Sequence, residues 1–146
     1  LEVSQPAISK ALPLLEKQEF INVNKDKESK RLSIELNRDN LLTAGLKRAD
    51  NLKQIYESGL AKFLYDEFPG CTIILFGSYS RGDDIFNSDI DIAIIGRKEK
   101  KISLEQFEKI LGKEIRINFY ESFMSIHKNL KENLFNGVIL SGGIEL

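Results

Sequence analysis

Hydrophobic and polar residues follow two different periods along the chain, and each period predicts a different kind of element. From residue 71 onward, short apolar runs alternate with stretches in which apolar residues recur at helical spacing. The runs are typical of buried strands, and the stretches are typical of amphipathic helices. We therefore predict strands at 72–76, 89–95, 114–120 and 137–142, and helices at 78–86, 103–112 (capped by Ser103 and ended by Gly112) and 122–135.

Residues 1–40 show the same two periods on a smaller scale. Ser4 is placed to cap a helix whose first turn contains Pro6, and apolar residues recur at helical spacing up to Phe20. Residues 21–34 then alternate on both sides of a polar turn, which is a β-hairpin signal. We predict one helix and one hairpin in this region.

Residues 41 to about 68 predict one long helix or two collinear helices. Apolar residues recur there at every seventh position, namely Leu42, Ala49, Tyr56 and Phe63. Such a seam can join two domains, or it can pair with a second copy of the chain in a homodimer. We expect a linker helix over 41–58, followed by the first helix of the next domain.

Composition limits the choice of partners. The chain has 146 residues, with 21 Lys and Arg against 22 Asp and Glu, so its net charge is −1. That balance gives no overall attraction to nucleic acid or membrane, so any such binding needs a local patch. The apolar runs are shorter than the roughly 18 residues that a membrane span needs. With a lone cysteine, Cys71, and no visible signal peptide, we expect a cytoplasmic protein that does not bind membranes.

A glycine-containing turn follows the strand predicted at 72–76. Gly77 and Ser78 stand where that strand leads into a short helix, and Arg81 and Gly82 follow. The first backbone N–H groups of a helix lack intrahelical partners and favour an anion. The Ser78 hydroxyl adds a donor and Arg81 adds a cation, so the turn indicates a phosphate-binding site. Many turns of this composition bind nothing, so the interpretation depends on what lies nearby.

Two carboxylates interrupt the strand that follows. Asp89 and Asp91 alternate with Ile90 and Ile92, and side chains two positions apart in a strand face the same side. Burying carboxylates is costly unless a cation compensates them. An oxygen-rich pair beside a phosphate-binding turn is typical of a Mg²⁺ site, and two such ions serve phosphoryl or nucleotidyl transfer. We therefore predict that Asp89 and Asp91 bind Mg²⁺ and are catalytic.

The string GSYSRGDDIFNSDID at residues 77–91 resembles the signature of the DNA polymerase beta superfamily of nucleotidyltransferases, in particular its minimal members. The resemblance extends from about residue 55 to residue 142. It implies an α/β (α+β) fold with a small mixed sheet, and a protein partner, sometimes a HEPN-type toxin. It also implies that Gly77, Ser78 and Arg81 bind a nucleoside triphosphate and that Asp89 and Asp91 bind the metal.

One position departs from the family pattern. The family usually has a third carboxylate on the next strand, where this chain has Arg116, with Asn118 two residues on. A cation there would repel Mg²⁺ and would not serve as a general base. Glu114 could substitute for it after a β-bulge. Asp83 and Asp84 lie outside the pattern, and we expect both to be solvated loop acids.

The stretch VSQPAISKALPLLEKQEFI and the basic hairpin after it resemble the recognition helix and wing of winged helix-turn-helix regulators. The resemblance implies DNA binding through helix side chains and wing cations. The two helices that normally precede this pair are not seen, so we expect a truncated N-terminus. Asp26 and Glu28 could instead neutralise the wing and leave an inert or protein-binding remnant. The candidate DNA-binding residues are Ser4, Gln5, Ser9, Lys10, Lys25, Lys27, Lys30 and Arg31.

The leading hypothesis divides the chain into a winged-helix segment (1–40), a linker helix (41–58) and a nucleotidyltransferase-like domain (59–146). That domain would transfer nucleotide from a nucleoside triphosphate to an unidentified acceptor with Mg²⁺. The alternative is a transcriptional regulator whose transferase-like domain binds nucleotide without catalysis, and Arg116 favours it. A third hypothesis is a scaffold protein that dimerises through the seam at 42–63.

Overall fold

A computed structural model describes residues 3–144 of the protein. The chain forms two compact units, one ending at Leu46 and the other beginning at Lys47, so the boundary falls inside a helix. None of the helices within 3–144 is long and apolar enough to span a membrane. The elements are α1 (Gln5–Lys17), β1 (Ile21–Lys25), β2 (Leu32–Leu36), α2 (Leu41–Glu57), α3 (Leu60–Glu67), β3 (Thr72–Phe76), α4 (Gly77–Arg81), β4 (Ile90–Ile95), α5 (Glu105–Leu111), β5 (Ile115–Tyr120), a 3-10 turn (Phe123–Ser125), α6 (Lys128–Phe135) and β6 (Val138–Ser141).

The first unit contains α1 and a two-stranded hairpin, as the pattern predicts. β1 and β2 pair antiparallel, with Ile21 opposite Leu36. Ser4 is the N-cap residue of α1, although its side chain does not make the capping hydrogen bond. In the hairpin turn, Asp26 accepts hydrogen bonds from Ser29 Oγ at 2.7 Å and Ser29 N at 2.6 Å, and these lower the pKa of Asp26. Asp26 therefore helps to hold the turn in shape.

Two helices form where the pattern allows one long helix or two collinear ones. α2 ends at Glu57 and α3 begins at Leu60, because Gly59 adopts a left-handed conformation (φ 80°) that a continuing helix does not allow. The positions of the repeat are not buried alike, since Tyr56 is 53% exposed whereas Phe63 is partly buried against the core. The one-helix alternative is therefore wrong, and the repeat of seven does not form one continuous apolar face.

The second unit is built on a 4-stranded sheet in the order β5-β4-β3-β6. β3 runs antiparallel to β4 and β6, whereas β4 and β5 are parallel. Alternate residues of a strand face opposite sides, and buried side chains occur on both faces of this sheet. One face packs against Ile55, Leu60 and Phe107 of the helices, and the other packs against Ile126 and Leu134. This arrangement confirms the predicted α/β fold with a mixed sheet.

Two predicted helices in the second unit differ from the structure at their boundaries. Leu104, not Ser103, is the N-cap residue of α5, while Gly112 (φ 64°) ends it as predicted. The helix predicted at 122–135 is a 3-10 turn followed by α6. Between them Ile126 is extended and only 3% exposed. Burial of this side chain in the core interrupts the helix, and helical periodicity does not reveal that.

Candidate functional site

The turn from β3 into α4 lies directly beside an aspartate of β4. The antiparallel register places Phe76, the last residue of β3, opposite Asp91. Gly77 then begins α4 with a left-handed backbone (φ 75°). A Cβ atom at this position would overlap the Asp91 carboxylate and lie 3.2 Å from its Cγ. Glycine is therefore required at 77 both by the backbone conformation and by the close approach of Asp91.

Replacing Gly77 by alanine should strain the backbone and displace Asp91. A left-handed alanine costs about 1–2 kcal/mol, and overlap with the carboxylate adds to that cost. Gly112→Ala is a matched control, because Gly112 has a φ of 64° but nothing lies within 4 Å of its Cβ position. We expect Gly77→Ala to unfold at a lower urea concentration than Gly112→Ala when unfolding is measured by circular dichroism. Equal losses would contradict the close approach of Asp91.

α4 is short and is anchored by one aromatic side chain. Tyr79 is 2% exposed and packs in the core, and burial raises the pKa of its hydroxyl to about 12. Gly82 turns left-handed (φ 79°) and ends α4 after Arg81, well before the predicted end at residue 86. The turn that carries Ser78 and Arg81 is therefore fixed to the core of the second unit.

Asp89 immediately precedes β4, and Asp91 is its second residue. The alternating residues Ile90 and Ile92 are fully buried, as predicted, while both aspartates stay partly accessible. Burial raises the pKa of Asp91 and the charge of Asp89 raises it further, whereas Arg116 lowers it. The two carboxylates are therefore close enough to repel each other, and a cation between them would relieve that repulsion.

Arg116 reaches this pair from the neighbouring strand. β4 and β5 pair in parallel with Asp91 opposite Arg116, and the register is continuous along all of β4. The bulge that would bring Glu114 into line is therefore not formed between these strands. Arg116 Nη1 lies 3.0 Å from Asp89 Oδ2, and its Nε lies 3.4 Å from Glu114 Oε1. Glu114 thus contacts the arginine and does not replace it.

Arg81 is a second cation near the aspartates. Burial raises the pKa of Asp91, and Arg81, like Arg116, opposes that shift. Arg81 Nε also lies 3.2 Å from Asp83 Oδ2. Within residues 3–144, no cluster of three or more His, Cys, Asp or Glu side chains could hold a metal ion. The site therefore combines two carboxylates, two arginines and the Gly77 turn.

The prediction that Asp84 is a solvated loop acid is wrong. Asp84 is 3% exposed, and its carboxylate lies 2.7 Å from Lys47 Nζ and 3.4 Å from Lys113 Nζ. It also accepts a hydrogen bond from Asn51 Nδ2 at 2.8 Å. Burial alone would raise the pKa of Asp84, but the hydrogen bonds from Lys47 and Asn51, together with the charges of Lys47 and Lys113, lower it. Asp83, its neighbour, is exposed as predicted.

This buried ion cluster could not be read from the sequence, because its members are far apart along the chain. Lys47 lies 37 residues before Asp84 and belongs to α2. Lys113 follows α5, and it also donates to the loop that leads to the candidate site. The acceptors in that loop are the carbonyls of Ile85 (2.7 Å), Phe86 (3.2 Å) and Ser88 (3.2 Å). No local pattern marks such contacts.

The candidate DNA-binding residues all lie in the first unit and are exposed. One group stands at the start of α1 (Ser4, Gln5, Ser9, Lys10), and the other surrounds the hairpin turn (Lys25, Lys27, Lys30, Arg31). Exposure leaves both groups accessible to a ligand, and DNA binding itself stays a prediction.

Residues 57–140 match a family described as nucleotidyltransferase domain. The protein adenylyltransferase MntA of Shewanella oneidensis is 47% identical over 45 residues, which are 30% of this chain and 32% of that protein. The match thus spans about a third of the length of that relative. A solved structure of a mutant MntA–HpeT toxin–antitoxin complex matches with 25% identity and a TM-score of 0.44, covering 60% of this chain and 73% of that chain.

The family match extends over more than half of the chain, and it includes the Gly77 turn, both aspartates of the pair and Arg116. These residues lie on or beside a mixed sheet, and the sequence resemblance implies a fold with such a sheet. On this match, the chain belongs to the nucleotidyltransferase domain family.

Proposed function

We propose that the second unit transfers a nucleotidyl group from ATP to a protein acceptor, with Mg²⁺ held by Asp89 and Asp91. The observation that carries the proposal is the position of Asp91 against the left-handed turn at Gly77, with Asp89 two residues before it. ATP as donor and a protein as acceptor are supported by the relative from Shewanella oneidensis, which is named a protein adenylyltransferase.

The carboxylate pair suits a divalent cation by its chemistry. Mg²⁺ commonly takes one or two carboxylates together with substrate phosphates. Burial and the charge of Asp89 raise the pKa of Asp91, and a bound cation would remove the repulsion between them. When bound, the ion supplies Lewis-acid stabilisation of the charge on the phosphates and on the departing pyrophosphate.

The turn and Arg81 orient the triphosphate in this proposal. The backbone N–H groups of Gly77 and Ser78 and the Ser78 hydroxyl can donate to phosphate oxygens, and Arg81 neutralises part of the charge. An acceptor hydroxyl oxygen forms a bond to the α-phosphorus while the bond from that phosphorus to the bridging oxygen breaks. Pyrophosphate leaves with the electron pair, and the hydroxyl proton passes to solvent water.

The proposal is tested with ATP labelled at the α-phosphate, Mg²⁺ and a cell extract that supplies acceptors. We expect label in material that a protease destroys and a nuclease does not, with release of unlabelled pyrophosphate. Label confined to nuclease-sensitive material would contradict a protein acceptor. No transfer under conditions in which ATP binds would contradict the enzyme.

A second candidate function is a nucleotide-binding regulator without catalysis. Arg116 favours it, because the arginine stands opposite Asp91 where the family pattern has a carboxylate. This candidate predicts that Mg²⁺ and a non-hydrolysable ATP analogue bind, and that the labelling assay gives no product.

We also propose that the first unit binds DNA through the start of α1 and the hairpin cations. Phosphate contacts release counterions, so affinity should fall steeply with salt. Lys27→Ala/Lys30→Ala should lower the slope of log affinity against log salt by about two. Lys53→Ala/Lys62→Ala is the control, since it removes the same charge from exposed helix positions of the second unit. Gel shifts that do not change with salt would contradict the proposal.

A further inference from the structure

Arg116 is fixed at the edge of the carboxylate pair. The β4–β5 register sets it opposite Asp91, and its Nη1 lies 3.0 Å from Asp89 Oδ2. Its Nε lies 3.4 Å from Glu114 Oε1, so two carboxylates hold the guanidinium. The side chain is still 58% exposed. A guanidinium has five N–H donors in a fixed fork, so some of these donors are accessible to a ligand.

This arginine stands where a second divalent ion would need its ligands. Two-ion sites place the ions about 3.5–4 Å apart, and each ion needs oxygen donors. Here Arg116 already contacts Asp89, and no cluster of three acidic or other metal-binding side chains occurs within 3–144. A positive charge in contact with Asp89 repels a further cation on that side. The oxygens of Asp91 and the second oxygen of Asp89 can still hold one ion.

We infer that the site binds one divalent ion and that Arg116 supplies the second positive charge by contacting the triphosphate. The inference rests on the proposed function, because it assigns the cations of the same site. A guanidinium matches phosphate oxygens with two parallel N–H donors, which a lysine does not. Glu114 and Asp89 hold the fork before the nucleotide arrives, so little side-chain freedom is lost on binding.

The number of ions is measured with Mn²⁺, whose electron paramagnetic resonance signal reports the unbound ion. The protein is titrated in the presence of saturating α,β-methylene-ATP, after subtraction of Mn²⁺ bound to the free analogue. We expect one Mn²⁺ per chain. Two ions per chain would overturn the inference and leave the proposed function standing, whereas no bound ion and no bound analogue would overturn both.

Substitution of Arg116 separates a phosphate contact from a structural role. Arg116→Gln should raise the affinity for Mn²⁺ alone by about tenfold, because a cation next to a carboxylate is removed. It should lower the affinity for the Mg²⁺–analogue complex by about tenfold, because a charge-assisted contact is lost. Both affinities are measured by titration calorimetry. A merely structural role would change both in the same direction, and that result would overturn the inference.

Arg97→Gln is the matched control. Arg97 follows β4 at the end opposite Asp91, and its guanidinium stacks 5.2 Å from the ring of Phe68. The same loss of charge there should leave both affinities unchanged. Arg116→Lys distinguishes charge from geometry, because it keeps the positive charge but not the two parallel donors. Its affinity for Mn²⁺ should stay as weak as that of the unchanged protein. Its affinity for the Mg²⁺–analogue complex should lie between those of the unchanged protein and Arg116→Gln. Full recovery by lysine would contradict a two-donor contact with phosphate.

Discussion

The Asp89→Asn/Asp91→Asn variant is expected to lose nucleotidyl transfer by about a thousandfold or more. A bound metal ion contributes several kcal/mol of transition-state stabilisation, and about 4 kcal/mol corresponds to a thousandfold in rate. Asparagine keeps the size of each side chain, so the close approach of residue 91 to the Gly77 turn is preserved. The measurement is single-turnover transfer from ATP labelled at the α-phosphate.

Asp66→Asn is the control for loss of a carboxylate from the second unit. Asp66 lies on α3, where it makes an exposed ion pair with Lys62 at 2.5 Å. Exposed pairs contribute about 0–1 kcal/mol to folding stability, so the variant should stay folded. Because Asp66 is not part of the proposed site, the rate of transfer should stay close to that of the unchanged protein. A double variant at 89 and 91 that transfers within about tenfold of this control would show that the pair does not carry the reaction.

Substitution of Asp91 by asparagine should lower activity but raise folding stability. Burial and the charge of Asp89 raise the pKa of Asp91, so its charged form is disfavoured in the folded state. At neutral pH, Asp91→Asn should therefore raise the melting temperature. The gain should shrink as the pH falls, because protonation of Asp91 relieves the same penalty. Lower stability of this variant at neutral pH would mean that the charge serves the fold.

The faces of the strands can be predicted from sequence, because they depend on local alternation. Ile90 and Ile92 are buried and the alternating Asp89 and Asp91 stay partly accessible, as a period of two requires. The family resemblance places Arg116 on the strand after the aspartates, at the position of the third carboxylate, and the parallel register sets it opposite Asp91. Alternation alone does not give that register, since pairing depends on residues on two separate strands.

The features that sequence patterns do not predict depend on contacts between distant residues. The repeat of seven leaves open one long helix or two, and the left-handed backbone of Gly59 decides for two. Asp84 lies outside the family pattern in the loop after α4, and that position favours a solvated side chain. Its actual partner Lys47 lies 37 residues away, and only the folded sheet and helices bring the two together. A loop residue with no local partner gives no sign of such burial.

Asp84→Asn is expected to cause a large loss of folding stability. Asp84 is 3% exposed between Lys47 and Lys113, whose side chains are 26% and 13% exposed. Removing one partner of a buried ion pair leaves uncompensated charge and costs about 3–5 kcal/mol. Urea unfolding followed by circular dichroism measures the loss. Asp83→Asn is the control, because that side chain is 55% exposed and should change stability by less than about 1 kcal/mol.

The pH dependence of this loss identifies its cause. Burial opposes the charge of Asp84, but hydrogen bonds from Lys47 and Asn51 keep its pKa below the ordinary value. A lowered pKa stabilises the fold above the unfolded value of about 4, and that contribution is lost as the pH falls through the folded pKa. The stability difference between the unchanged protein and Asp84→Asn should therefore be full at neutral pH and should shrink below about pH 4. A difference that stays constant down to strongly acidic pH would assign the loss to packing and not to the ion cluster.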